Sequence, residues 1–367
     1  MNGLKHGRDK KETDMLRMKS SRIFGALGAA AALVAVQLAA APVVHADDDS
    51  DATCYTTRST TDPFYQGPSA SRVYDWVNTG AQTNQRFSKS VPIPAGLLSA
   101  RYVPQGLTHW ANWNGTGEDL LLIAAYEDTN GDSVPDGPSG LWGVVASGSR
   151  TGTSLGRMLI AEGHVGGVAI YGGWLYVGSE EEIRGYRLGK LRDALVGANT
   201  NAVYARDYNR ASSYRVGFMG TGDGHLWAGA FSETASTHLN GYVQTSAAQG
   251  TLAYQAGTQS YAPKKTQGVT VTAGHAIFST SYGRNDRGNI WVMPRNAQSL
   301  SDENSYCFRA PSMNQGVTVL NGRLYLGFES GAYTYNRTLD DPDNPITTVH
   351  SATLSEITSL YSGGPAD

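Results

Sequence analysis

The chain has 367 residues, 29 Lys and Arg against 32 Asp and Glu, and two cysteines. That length can bury a substantial core as one or two domains. A net charge of −3 offers no broad basic surface, which argues against nucleic acid and anionic membranes as partners.

Residues 18–46 carry the three parts of a secretory signal. Lys19 and Arg22 form a basic start, Ile23 to Val43 is an apolar run, and Val44-His45-Ala46 supplies small residues at the cleavage positions. The run is long enough to span a bilayer as an uncleaved anchor, but its small-x-small ending predicts cleavage, with residues 1–46 removed and the remainder secreted. Removal takes away seven of the basic and three of the acidic residues, so the net charge moves from −3 to −7. Residues 47–100 follow, rich in Thr, Ser, Pro and Gly, with one strand candidate, RVYDWVN. This extension is predicted to wrap the domain formed by residues 101–367, which is expected to be monomeric.

That domain is a repeat. VGGVAIYGGWLYV at 165–177, TQGVTVTAGHAIF at 266–278 and NQGVTVLNGRLYL at 314–326 align without a gap. Each reads as a strand, a tight Gly-containing turn and a second strand. Looser copies are VGFMGTGDGHLWAG at 216–229 and the stretch from Gln105, so units start at Gln105, Gly166, Val216, Gln267 and Gln315. Third strands are predicted at 140–146, 182–188, 238–244, 288–294 and 331–337. Fourth strands are GRMLIAE, NAVYARDY, GTLAYQA and YCFRA. The outer strand of the last unit falls either to the N-terminal extension or to ITTVHSAT at 346–353. Four strands repeated five times, with no helical stretch, predict an all-β five-bladed β-propeller of four-stranded antiparallel blades. A blade cannot cover its own two apolar faces, so blades stack around an axis. A β-sandwich is the competing architecture.

The stretch YEDTNGDSVPDGPSG at 126–140 interrupts the first unit between its second and third strands. It sets Asp128, Asn130, Asp132, the Val134 carbonyl and Asp136 at the alternate spacing from which a curled loop offers hard oxygens to Ca²⁺. It is not an EF-hand, because Ser133 and Ser139 stand where that loop has Gly and Glu. These nine residues resemble the DxDxDGxxD loops of thrombospondin-type and dockerin-like extracellular repeats, which implies a structural calcium ion.

The second strands end in Glu127, Glu180, Glu233 and Glu329 in four units, with Tyr282 and Arg284 in the remaining one. Gln105, Gln267 and Gln315 start inner strands on the same side, and His164 precedes another. Together these ten residues are predicted to line one face that binds an extracellular glycan, peptide or small molecule. Alternatively, the four glutamates serve a hydrolase or lyase as acid, base or metal ligand. The architecture resembles arabinanase-like glycosidases, calcium-activated nucleotidases and tachylectin-type lectins, and such glycosidases carry acids near the starts of inner strands. Here those positions hold Gln105, Gly166, Val216, Gln267 and Gln315.

Cys54 and Cys307 both follow the leader, and an even count in an oxidising compartment predicts one disulfide. GTSLG at 152–156 and GTGDG at 220–224 read as turns, since neither precedes a helix. His225 and His275 open second strands and read as structural, and no standard zinc pattern occurs.

Overall fold

The computed structural model describes residues 87–99, 101–161, 163–179, 182–196, 203–205, 209–212, 214–284, 288–298, 305–335, 342, 345–359 and 361. The predicted leader, the strand candidate RVYDWVN, Cys54 and Glu180 lie outside the described residues.

Five antiparallel sheets follow one another around an axis, which makes the domain a five-bladed β-propeller. In blade 1, Tyr102–Trp110 is innermost, followed outward by Leu120–Glu127, Ser139–Val145 and Ser154–Ile160. Blade 2 runs from Gly167–Tyr171 through Trp174–Gly178 and Ile183–Arg187 to Asn209–Ser212. Blade 3 comprises Phe218–Gly222, His225–Gly229, Thr237–Ser246 and Thr251–Tyr254, with Ser260–Ala262 pairing the start of its long third strand. Blade 4 is Thr266–Val271, Gly288–Pro294 and Tyr306–Ala310 with His275–Thr280 second in order. Blade 5 runs from Asn314–Leu320 through Arg323–Phe328 and Thr348–Thr353 to Ser88–Pro92.

The hairpins follow from local chemistry. Tyr171 pairs with Trp174, Gly222 with His225 and Leu320 with Arg323, so each turn has two residues. Those residues are Gly172-Gly173, Asp223-Gly224 and Asn321-Gly322, all at positive φ. Such turns match the right-handed twist of the strands they join.

The ring closes through glycine. A Cβ on Gly106 would lie 2.7 Å from Val168 of blade 2, and one on Gly167 2.6 Å from Met219 of blade 3. Gly220 abuts the Val269 carbonyl of blade 4, Gly268 meets Gly316 of blade 5, and Gly316 meets the Leu107 amide of blade 1. Each inner strand thus presses on the next, and the fifth presses on the first.

Three expectations need correction. The segment 331–335 is a turn, not the third strand of blade 5. Both rivals for the outer place are used instead: Thr348–Thr353 is the third strand, and Ser88–Pro92 pairs outside it. Second, helices are present, the longest among the described residues being Leu188–Val196. Its Leu191, Ala194 and Leu195 form one buried stripe, and Leu195 fits over Gly143 of blade 1. Third, NAVYARDY does not form one outer strand: Val203–Ala205 adds to blade 1 in parallel, and Asn209–Ser212 closes blade 2.

GTSLG leads from a turn at Gly152 directly into the strand Ser154–Ile160. GTGDG spans the end of an inner strand and its turn.

Candidate functional site

The inner strands of blades 1, 4 and 5 share an irregularity. Pairing shifts between Pro104 and Leu107, between Thr266 and Gly268, and between Asn314 and Val317. Gln105, Gln267 and Gln315 fall within these bulges, and such bulges re-aim side chains. All three line a cavity of about 560 Å³ formed where the inner strands meet.

Glu329 sits at its floor. Gln105 donates through Nε2 to Glu329 Oε2 at 2.5 Å, and Gln315 also hydrogen-bonds the carboxylate. Burial pushes the Glu329 carboxyl up to about 7, against the opposing pull of those two amides and the Arg284 charge. Gln315 is 2% exposed, and its Oε1 has no hydrogen-bond partner among the described residues. Gln267 donates to the Ser281 carbonyl at 3.0 Å.

Aromatic rings form the walls. His164 stacks on Tyr126 with centroids 4.3 Å apart, and the Tyr126 hydroxyl lies 2.9 Å from that of Tyr335. Burial, then the neighbouring Tyr335 and Glu329, hold the Tyr126 phenol far above its ordinary value. The Arg284 guanidinium lies 4.5 Å over the Tyr335 ring and donates to the Gly131 carbonyl. Phe231 and Tyr282 also line the cavity, their ring centroids 6.3 Å apart. Arg215, exposed, also lines the cavity.

Seven of the ten predicted face residues line this cavity: Gln105, His164, Gln267, Tyr282, Arg284, Gln315 and Glu329. Glu127 and Glu233 are not among the lining residues. Register explains why. Val168 pairs with Val177, Met219 with Ala228, Val269 with Phe278 and Val317 with Leu326, each pair nine residues apart. Three residues beyond the second member come Glu180, Phe231, Ser281 and Glu329, and in blade 1 the matching pair Leu107–Ile123 leads to Tyr126. Glu127 is one residue late while still inside its strand, Leu120–Glu127, where a one-residue slip turns the side chain to the opposite face. Tyr282 is also one residue late, but it lies beyond the strand end at Thr280, free of that alternation, and lines the cavity in place of Ser281. The Glu127 carboxylate lies instead against Gly137 and near Tyr102. Glu233 is two residues late and exposed, where it raises the Tyr282 phenol through a hydrogen bond. Phe231 was legible from the nine-residue spacing; Tyr126 follows a pair sixteen residues apart, and Tyr335, Met313 and Ser133 carried no such signal.

The acidic loop leans over this cavity, with Ser133 at φ +64° among the lining residues. Asp128 is fully buried and accepts from the amides of Asn130, Gly131 and Ser133. Asn130 and Asp132 accept from Asp132 and Val134, and Asp136 accepts from the Thr129 amide at 2.6 Å. These bonds are local to the loop, and the side chains of Asn130, Asp132 and Asp136 are exposed. Among the described residues no group of three or more His, Cys, Asp and Glu converges as a metal site.

The sheets and the cavity define a five-bladed β-propeller with a ligand-sized axial site, a build suited to binding or interaction. No family model matches the sequence, and no curated protein matches it. Among solved structures, it is similar to an AfRom2 CNH domain at 12% identity, over 66% of this chain and 69% of that one, with a TM-score of 0.30. A nidogen/laminin complex matches at 10% identity over 66% and 84%, with a TM-score of 0.34. U3-55K matches at 9% over 75% and 100%, with a TM-score of 0.32. The fold assignment rests on this chain's own strand pairing.

Proposed function

We propose that the protein is a secreted, calcium-braced propeller that binds a small molecule or the end of a glycan in its axial cavity. The floor of the cavity carries the reading: Glu329 held by two glutamines, with the buried Oε1 of Gln315 unmatched among the described residues. An unmatched buried acceptor costs about 1–3 kcal/mol, which a ligand donor recovers. The volume of about 560 Å³ falls within the usual range for small-molecule sites.

Export is supported by the leader pattern at 18–46. A Cys54–Cys307 bridge would tie the extension to the outer strand of blade 4, where Cys307 is buried. The entropy model gives about 5 kcal/mol for a loop of that length. Calcium at Asp128, Asn130, Asp132, Val134 and Asp136 would brace the loop that holds Ser133 at the cavity.

A thermal-shift screen of sugars, peptides and small metabolites against the wild type and Glu329→Gln tests the binding reading. At least one ligand is expected to raise the melting temperature of the wild type and not of the variant. Equal shifts in both, or none in either, sink it.

A hydrolase or lyase is the second reading, favoured by the Glu329 carboxyl near 7, a value suited to proton transfer at neutral pH. Two-carboxylate hydrolysis needs a partner acid about 5–10 Å away. Glu329 is the one carboxylate among the described residues lining the cavity, which puts binding first. Cleavage by the wild type, with binding but no cleavage by Glu329→Gln, reverses that order.

A further inference from the structure

We infer that the cavity takes the end of a saccharide chain, its terminal sugar hydrogen-bonded to the floor and its second sugar lying on a platform made by Phe231 and Tyr282. This rests on the axial cavity being the binding site.

The platform spans two blades and is held by the backbone beneath it. Phe231 follows the second strand of blade 3, and Tyr282 follows that of blade 4. Lys265 ties the two segments together. Its amide donates to the Ser232 carbonyl at 2.7 Å, and its carbonyl accepts from the Ser281 amide at 3.0 Å. To make both bonds Lys265 adopts φ +61°, a left-handed conformation uncommon outside glycine. Gly217 admits the Phe231 backbone, since a Cβ there would lie 2.5 Å from it. The Tyr282 hydroxyl donates to Glu233, which fixes the far end of that ring. A ligand therefore meets two rings that are already ordered, and stacking on them costs little further entropy.

Depth separates the platform from the floor. Tyr282 is 44% exposed and Gln315 is 2% exposed, yet both line one cavity. A ligand that satisfies both extends from the buried floor to the surface, as a chain end does.

The floor selects hydroxyls. Gln105 and Gln315 donate to Glu329, and Gln267 donates to the Ser281 carbonyl. The buried Gln315 Oε1 is left as an acceptor without a partner. A sugar hydroxyl donates to it without requiring a donor in return, because its lone pairs can face water or a neighbouring hydroxyl. A peptide end brings a carbonyl with every amide, and each buried carbonyl needs a donor. The glutamine nitrogens already point at Glu329 and Ser281. Aromatic rings offer apolar area to the carbon face of a sugar ring, which completes the match at the mouth.

Isothermal titration at pH 7 tests this by chain length. The probes are cello-, xylo-, manno-, arabino- and chito-oligosaccharides of increasing length, each series starting from its free monosaccharide. The proteins are the full chain, Tyr282→Ala, Tyr282→Phe and Glu329→Gln, each checked for folding by circular dichroism. In at least one series the disaccharide is expected to bind the wild type about tenfold more tightly than the monosaccharide. Tyr282→Ala, at an exposed position, should remove that gain. Tyr282→Phe keeps the ring and should keep most of the gain, and Glu329→Gln should weaken every member of the series. Equal binding of monosaccharide and disaccharide overturns the inference, as does a gain that persists in Tyr282→Ala. A loss in Tyr282→Phe as large as that in Tyr282→Ala also overturns it, because the hydroxyl and not the ring face would then carry the effect. Absence of binding by every series overturns it too. In each of these events a Glu329-dependent ligand from the wider thermal-shift screen leaves the cavity reading standing, and the lack of one removes both.

Discussion

Gln105 of blade 1 donates to Glu329 of blade 5 across 224 positions of chain. The bond crosses the seam at which the ring closes, and it couples the floor of the cavity to closure of the propeller.

Glu329 should make stability depend on pH. Its carboxyl is raised to about 7 in the folded protein, so the native state holds a proton that the unfolded chain releases at lower pH. The stabilisation is complete below the ordinary glutamate range and is lost as pH rises through 7. The difference amounts to about 3 kcal/mol. Glu329→Gln should therefore melt above the wild type at pH 8 and match it near pH 4.5. His350 acts in the opposite sense: burial lowers it to about 4, so its contribution is present above 6.5 and is lost on acidification. The Glu329 effect is thus read as a wild-type-minus-variant difference, in which His350 cancels. A difference that does not change with pH rejects the assignment.

Gly316→Ala should damage ring closure. The added Cβ would meet the backbone of Gly106 and Leu107, which cannot rotate away as a side chain can. A loss of about 3 kcal/mol is expected in denaturant unfolding. Gly189→Ala is the control: it lies in the helix Leu188–Val196 with nothing within 4 Å of the new atom. Its effect should stay within about 1 kcal/mol. Equal effects at the two sites contradict the close approach.

Val91 lies at 1% exposure in Ser88–Pro92, the outer strand of blade 5. Val91→Asp should place a charge without a partner in the cluster containing Leu121, Trp142 and Val349. A fall in unfolding free energy of about 3 kcal/mol or more is expected. A melting temperature equal to the wild type would mean that this strand does not close the ring in solution.

The calcium proposal predicts a rise in melting temperature when Ca²⁺ is titrated into protein stripped with EDTA. Asp132→Ala should abolish the rise, since Asp132 is exposed and its loss alone disturbs only the loop. An unchanged melting temperature in the wild type removes the ion from the description.

The repeat was visible in the sequence because a hairpin is local. Gly172-Gly173 and Asn321-Gly322 announce their turns, and alternating apolar residues announce the flanking strands. The glutamines of the site were visible too, because they stand at repeated positions before Gly106, Gly268 and Gly316. Glu127 misled because the letters YE and FE align by eye, while pairing places Glu329 opposite the level of Tyr126. The helix Leu188–Val196 was hidden between predicted strands, and its apolar stripe gains meaning only against Gly143 of blade 1.

Sequence alone thus determined the blade as a unit, the number of blades and the acidic loop inserted in the first. Those features depend on neighbours a few residues apart. Only the tertiary structure decided how blade 5 is assembled, with Ser88–Pro92 and Thr348–Thr353 meeting from distant parts of the chain. It likewise decided which side chains share the cavity. A bulge shifts a side chain by one place, and a turn at 331–335 brings Tyr335 to Tyr126. Such placements depend on contacts hundreds of residues apart, and local propensity does not encode them.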